Sequence, residues 1–304
     1  MVRTLILNQS NIVPNTGNSV FRYNFPQGGV YLEDETIAVQ QVSLYNSVFN
    51  ISSDLDNNTF SYIWVDGTIN VVTMPAGGSY FSLADINAYL QSVMIANKHY
   101  MTTSGANPQN VFFIELVVNQ SRYADQLNCF PLNTTIATAN SWVVPTGTLS
   151  WAVPSVAQIV PMLVVPNTNF GDLIGFEAGT YPNTIISGTT PAFVQTPVVS
   201  PTPYSVLSSF APQIQPQPSF LGLCSLVNNK LVIPNQTIFS MTPVGVGFGS
   251  LYTLQVASLA YNKVENGNYN GFEFRFVDAL GQDIDFQDPN ILIILVMKNK
   301  NDKN

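Results

Sequence analysis

Four aspartates, Asp278, Asp283, Asp285 and Asp288, fall within eleven residues of the stretch FVDALGQDIDFQDPNILIILVMK. Carboxylates at that density suit three kinds of chemistry: ligands for a hard cation, an acid–base pair for hydrolysis, or capping of backbone in tight turns. A helix-loop-helix calcium loop needs ligands at its first, third, fifth and twelfth positions and glycine at the sixth. Counted from Asp278, the third and fifth positions are Leu280 and Gln282, and Gly281 falls at the fourth. That pattern fails. Turns fit better. Asp278-Ala-Leu-Gly281 turns the chain after FEFRF, Asp283 and Asp285 share a face opposite Ile284 and Phe286, and Asp288-Pro289-Asn290 launches ILIILVM. The stretch is expected to be a hairpin joining the last strands of a sandwich, with no metal assigned.

Other groups able to exchange protons are scarce. The chain has one histidine, His99, at the end of a predicted helix. That place suits a partner for the helix dipole or a surface residue more than a general base. No G-x-S-x-G elbow exists, and a catalytic triad would have to use His99. GVGFGS at 245–250 lacks the Lys-Ser/Thr of a phosphate loop and is expected to lead into a strand. A carboxylate pair for glycoside hydrolysis forms in space rather than in sequence, so it stays open as an enzymatic alternative. Cys129 and Cys224 match no metal or redox spacing and are expected as buried free thiols of a reducing compartment. No catalytic, cofactor-binding or metal-ligating residue is assigned, and the chain is not expected to be an enzyme. The six N-x-[ST] sequons, at Asn8, Asn50, Asn57, Asn119, Asn133 and Asn235, are what chance produces in a chain so rich in Asn, Ser and Thr.

Composition narrows the class further. Charged residues make up 9% of the 304 residues, against about 25% in an ordinary soluble domain. Asn, Gln, Ser and Thr fill the polar positions instead, and a surface so poor in charge fits a chain that lies against other chains. Acidic residues outnumber basic ones, 18 to 10, which argues against a dedicated nucleic-acid binder needing a basic face. The one local basic excess, Lys298, Lys300 and Lys303 around Asp302, reads as a frayed terminus. MVRTLILNQSNIVPN turns polar too soon for a signal peptide. No apolar run approaches the roughly 20 residues of a membrane span.

The elements that must position these groups are mainly strands. Period-two alternation puts Phe21, Tyr23 and Phe25 on one face of SVFRYNF, and Phe272, Phe274 and Phe276 on one face of GFEFRFV. TFSYIWV aligns Phe60, Tyr62 and Trp64, and Asp66-Gly67 offers a hairpin turn into TINVVTM. VFFIELVV at 111–118 reads as a strand covered on both sides, and YTLQVASLAY at 252–261 as a long strand. Further strands fit 3–8, 36–45, 159–165, 219–227 and 291–298. About ten strands with Gly, Pro and Asn turns make an all-β antiparallel sandwich or barrel.

One segment keeps a helical period: SLADINAYLQSVMIANKH places Leu83, Ile86, Leu90, Val93 and Met94 on one stripe. Ser82 and Asp85 have the spacing of a capping-box variant. Its polar face carries only Lys98, so the helix is expected to pack on the sandwich rather than on a membrane. Residues 178–218 carry eight prolines and no charge, which favours a long ordered excursion over a flexible linker.

The ordered landmarks SVFRYNFPQGGVYL, IAVQQVSLYNSVFNI, NNTFSYIW, SLADINAYLQSVM and YNKVENGNYNGFEFRFVDALGQDIDFQDPNILIILVMKN together resemble a known family. It is that of the single-jelly-roll minor capsid, or penton, proteins of virophages and the related Polinton-type elements. The resemblance spans the chain, is most specific over 19–65 and 252–298, and suggests a close relation to one member. It implies a single jelly-roll β-sandwich of two four-stranded antiparallel sheets over residues 1–304, with one short amphipathic helix and an inserted subdomain or long loops within about 120–217. It also implies a homopentamer at the fivefold vertices of an icosahedral shell, with a double-jelly-roll major capsid protein as neighbour. The location implied is the virion, assembled within the host cell, in the cytoplasm. The alternative reading is a carbohydrate- or receptor-binding β-sandwich, with Tyr181, Phe193, Tyr204 and Phe210 as exposed aromatics that could stack on a ligand.

Overall fold

The computed structural model describes residues 2–182, 198–215, 219–230, 232–242 and 246–301. The chain forms two compact units, one of Met1–Phe49 with Gln217–Asn304 and the other of Asn50–Pro216. The second therefore interrupts the first in sequence. The excursion expected within about 120–217 starts far earlier, at Asn50, and takes with it both the TFSYIWV hairpin and the amphipathic helix.

The first unit contains eight principal strands. In chain order they are Val2–Leu7, Val20–Asn24, Glu35–Tyr45, Phe220–Cys224, Thr237–Met241, Leu251–Gln255, Gly271–Val277 and Leu292–Asn299. One sheet has the order first–eighth–third–sixth, with Asn262–Lys263 also pairing with the third strand. The other has the order second–seventh–fourth–fifth, and every pairing within the two sheets is antiparallel. Eight strands distributed in this way form a jelly roll, the double Greek key. The assignment follows from the strand order itself.

The alternation read from sequence explains why these segments lie flat and bury one side. Phe21, Phe274 and Phe276 are fully buried, while Arg22, Glu273 and Arg275 between them face outward. Leu5, Leu7, Val42, Leu44, Ile293 and Leu295 of the other sheet complete the same core. Phe286, from the connection between the seventh and eighth strands, meets Phe220 and Phe276 edge-on, each with ring centroids 5.4 Å apart. That geometry is favourable for the ring quadrupoles. Gly222, in the fourth strand opposite Phe239, is required by contact. A Cβ there would sit 1.8 Å from the Phe239 ring.

In the second unit, Thr59–Ile63 and Ile69–Thr73 form the expected hairpin, with Asp66 Oδ1 accepting from the Thr68 N–H at 3.0 Å. Met162–Val165 and Gly179–Tyr181 extend that sheet. A second sheet pairs Ile114–Asn119 with Ala124–Cys129 and the latter with Tyr204–Leu207. The helix Leu83–Ala96 packs against Ile114–Asn119 and buries Leu83, Ile86, Leu90 and Met94, with Val93 half-buried. Ser82 and Asp85 form the reciprocal capping box: Asp85 Oδ2 accepts from the Ser82 N–H at 2.9 Å, and Ser82 Oγ accepts from the Asp85 N–H at 3.3 Å. Two short helices, Thr134–Ala139 and Thr168–Ile174, each start from an asparagine cap, Asn133 and Asn167, and the second buries Phe170, Leu173 and Ile174.

Several expectations from the sequence change. The last two strands lie in different sheets, so the aspartate-rich stretch crosses between sheets and is not a hairpin. VFFIELVV breaks at Phe112-Phe113, because Asn110–Val111 pairs in one sheet and Ile114–Asn119 in another. YTLQVASLAY keeps strand geometry only to Gln255. The tail is also better held than a frayed terminus. Lys298 lies in the eighth strand with its Nζ 4.1 Å from the centre of the Tyr261 ring, and the Lys300 N–H donates to Asp34 O at 2.7 Å. Asp302, Lys303 and Phe193 lie outside the described residues.

Candidate functional site

The four aspartates serve the backbone and one another's neighbours. Asp278 Oδ1 accepts from the N–H groups of Leu280 (2.8 Å) and Gln282 (2.9 Å), and Gly281 between them takes φ +83°, a left-handed conformation that glycine adopts at little cost. Asp283 accepts twice from Arg275 Nη2, at 2.7 and 2.9 Å, and from Nε at 3.1 Å. Asp285 accepts from Gln287 Nε2 at 3.0 Å, and Asp288 Oδ1 from the Asn290 N–H at 2.7 Å. Ile284 and Phe286 are each 1% exposed while Asp283 and Asp285 face solvent, so the alternation is as expected. Among the described residues no three His, Cys, Asp or Glu side chains come together as metal ligands.

His99 departs from its expected place. It follows the helix, its N–H donating to Met94 O at 2.8 Å across Lys98, which takes φ +59°. Its ring is buried at 3% exposure and stacks on Trp64 with centroids 4.9 Å apart and planes 10° from parallel. Nδ1 lies 2.8 Å from the Tyr62 hydroxyl, which already accepts from Asn97 Nδ2 at 3.0 Å, leaving the hydroxyl proton available to the imidazole. Burial lowers the His99 pKa to about 4, opposed by the charge of Asp66, and raises that of Tyr62 to about 12. Both are neutral at ordinary pH. This is a packed polar core; the sequence signal pointing to it was the alternation that aligns Tyr62 with Trp64.

The reactive residues left over are equally quiet. Cys129 and Cys224 are free, fully buried and pushed up in pKa by desolvation, so neither is a thiolate. Asn50, Asn57 and Asn133 commit their amide groups to buried backbone: Asn50 Nδ2 donates to Phe81 O and Ile214 O, Asn57 Nδ2 to Asn50 O and Asn133 Nδ2 to Val156 O. Of the aromatics expected at an exposed binding face, Tyr181 is 2% exposed with its hydroxyl on Glu177 O. Tyr204 and Phe210 are half-buried. Tyr181 therefore offers no exposed ring for stacking, and Phe193 lies outside the described residues.

Two features were not foreseen. The first is a cavity of about 690 Å³ in the inserted unit, lined by Leu83, Val118, Tyr123, Pro212 and Ile214 with Asp125 among them. Asp125 is 2% exposed, its Oδ2 has no hydrogen-bond partner among the described residues, and desolvation raises its pKa to about 7. Nothing in the string YADQL marks that aspartate; its isolation comes from strands far apart in sequence.

The second is the difference between the outer faces of the two jelly-roll sheets. On the second–seventh–fourth–fifth sheet, Arg22 pairs with Glu273 at 2.5 Å and Arg275 with Asp283. On the other sheet the outward rows are Val2–Lys298–Thr36–Lys263, Thr4–Val296–Ala38, Ile6–Ile294–Gln41–Gln255, Leu292–Ser43–Thr253 and Tyr45–Leu251. The first of these rows carries two lysines, and the other four carry no charge. Ile6 is 50% and Leu251 55% exposed, and Ser43 and Thr253 join their hydroxyls at 3.2 Å. A sheet face with four neighbouring uncharged rows and large apolar side chains on them is the kind of surface that proteins cover by association.

Strand order and surface define the class: a jelly-roll sandwich with a large unit inserted between its third and fourth strands. Among solved structures the chain is similar to one described as the crystal structure of SeMet-labeled mavirus penton protein, with a TM-score of 0.46, 11% identity and 98% of each chain covered. At that identity the likeness is not the close relation that the ordered landmarks suggested. No protein-family model matches the chain, and no curated protein matches it.

Proposed function

We propose that this chain is a structural capsid protein: a penton that forms homopentamers at the fivefold vertices of an icosahedral virion, beside a double-jelly-roll major capsid protein. The observation that carries the reading is the jelly-roll order combined with an outer face on one of its two sheets that is partly apolar and uncharged outside the Lys298–Lys263 row. The sequence landmarks shared with the penton family support it. A ring of five identical heterologous contacts buries such a face in every copy and leaves no open edge. The ion-paired face of the other sheet is already satisfied within the chain and suits solvent.

The work of such a protein is assembly. The rigid sandwich supplies shape, and its charge-poor face and loops supply contacts. The test is the mass of the purified chain in solution, alone and mixed with the major capsid protein, with electron microscopy of the mixture. Pentamers, or fivefold density at particle vertices, are the expected result. A chain that stays monomeric at high concentration and never enters particles is not a penton.

A further inference from the structure

The cavity beside Asp125 belongs to the inserted unit alone and plays no part in the capsid reading. Its walls are mostly apolar, supplied by Leu83 at the start of the helix, Val118 on a strand, and Pro212 with Ile214 from the returning chain, with Ser82, Asn119 and Gln120 also in the lining. Tyr123, left-handed at φ +49° and 88% exposed, stands at its edge. At about 690 Å³ it has the size of sites that enclose small organic ligands. One feature is out of keeping with an apolar hollow: the buried carboxyl of Asp125. Its backbone is fixed, the N–H donating to Ser208 Oγ at 3.1 Å and the carbonyl accepting from the Ser208 N–H at 2.7 Å. Its side-chain Oδ2 has no hydrogen-bond partner among the described residues.

A buried polar atom without a partner is costly, and such atoms are rare enough in folded proteins to ask for an explanation. The cavity lining includes no basic side chain that could answer the carboxyl from within. A ligand that completes the site must therefore bring a hydrogen-bond donor, best a cationic one, on a body apolar enough for the walls. An aromatic edge residue such as Tyr123 adds attraction for the same cation. We infer that this cavity binds a small amphipathic amine, its ammonium group on the Asp125 carboxylate and its apolar body against Leu83, Val118, Pro212 and Ile214.

The carboxyl must be ionised to hold the ammonium, and burial alone raises the pKa of Asp125. The ionisable side chains on the elements around it are Asp85, Tyr89, Glu115, Arg122, Tyr123, Asp172 and Tyr204, with Cys129 on its own strand. Asp85 is tied up in the helix cap and Glu115 accepts from Asn128 Nδ2. Binding then releases the carboxyl proton to solvent, so affinity falls as the solution is acidified below the pKa of the free site.

The experiment uses the full chain and three probes with the same phenethyl body, phenethylammonium, 2-phenylethanol and 3-phenylpropanoate, titrated by calorimetry. Phenethylammonium is expected to bind at about pH 8 at least tenfold more tightly than the alcohol, with no measurable binding of the carboxylate. Its affinity is expected to drop by about tenfold or more between about pH 8 and about pH 5.5. Asp125→Asn, close in shape to the protonated carboxyl, should reduce the preference for ammonium over alcohol to about one. Val118→Trp, at a position 55% exposed and so tolerant of size, should remove binding of both. The inference is overturned if no amine binds, if the alcohol binds as tightly, or if the pH dependence is absent in the wild-type chain, which needs no variant to fold. Failure here leaves the capsid reading untouched, because that reading is decided by mass and particle entry.

Discussion

His99 and Asp125 are both held by burial in their neutral forms, and they answer to pH in opposite directions. The folded pKa of His99, about 4, lies below its unfolded value of 6.5. The unfolded chain therefore takes the proton first, and stability is lost as pH falls from about 6.5 to about 4. The folded pKa of Asp125, about 7, lies above its unfolded value of 3.8. Here the unfolded chain ionises first, and stability is lost as pH rises from about 4 to about 7, then levels off. Asp125→Asn should consequently melt like the wild type near pH 4 and several degrees higher near pH 8, read by thermal denaturation across that range. Equal melting temperatures at both ends would mean that the carboxyl is not desolvated. Tyr62→Phe removes the hydroxyl between Asn97 and His99 and should cost about 1–3 kcal/mol in denaturant titration, since it leaves the imidazole Nδ1 buried without its partner.

Secondary-structure elements were legible wherever a local rule was strong. The helix over Leu83–Ala96 showed its period, its cap and its start, because each depends on neighbours within a turn. Ser82→Ala should cost about 1 kcal/mol, measured by chemical denaturation, as the loss of an N-cap does elsewhere. The helices after Asn133 and Asn167 are shorter, one or two turns each, so their asparagine caps and, in the second, the spacing of Phe170, Leu173 and Ile174 were the only local signals. VFFIELVV looked like one strand because hydrophobicity records burial and not the partner. Its break at Phe112-Phe113 reflects two sheets competing for adjacent residues. At Gly222 the reason for glycine lies wholly across the sheet, under the Phe239 ring. Gly222→Val should destabilise by more than about 2 kcal/mol or prevent folding, as forced overpacking does. A variant as stable as the wild type would show that the ring moves aside freely.

For the molecule as a whole, the low charge noted from composition takes on a location. Four of the five outward rows of the first–eighth–third–sixth sheet are uncharged, the exception holding Lys298 and Lys263, whereas ion pairs cross the outside of the opposite sheet. If that face is the assembly surface, Ile6→Lys and Thr253→Glu should leave the melting temperature within a degree or two, since both side chains are exposed. The same changes should sharply reduce oligomer formation in mass measurements, because an unpaired charge must be desolvated at each contact. Unchanged assembly in both variants would place the contacts elsewhere.

By itself the sequence determined the all-β character, the facing of the aromatic strands, the capped helix, the turn-forming role of the aspartates and the scarcity of catalytic groups. These follow from periodicity, spacing and composition, which act over a few residues or over the whole chain at once. The division at Asn50, the crossing of the last connection between sheets, the burial of His99 and Tyr181, and the solitary carboxyl of Asp125 were decided only by tertiary structure. Each depends on segments tens to hundreds of residues apart meeting in space, and alternation tells a strand which face to bury without telling it against what.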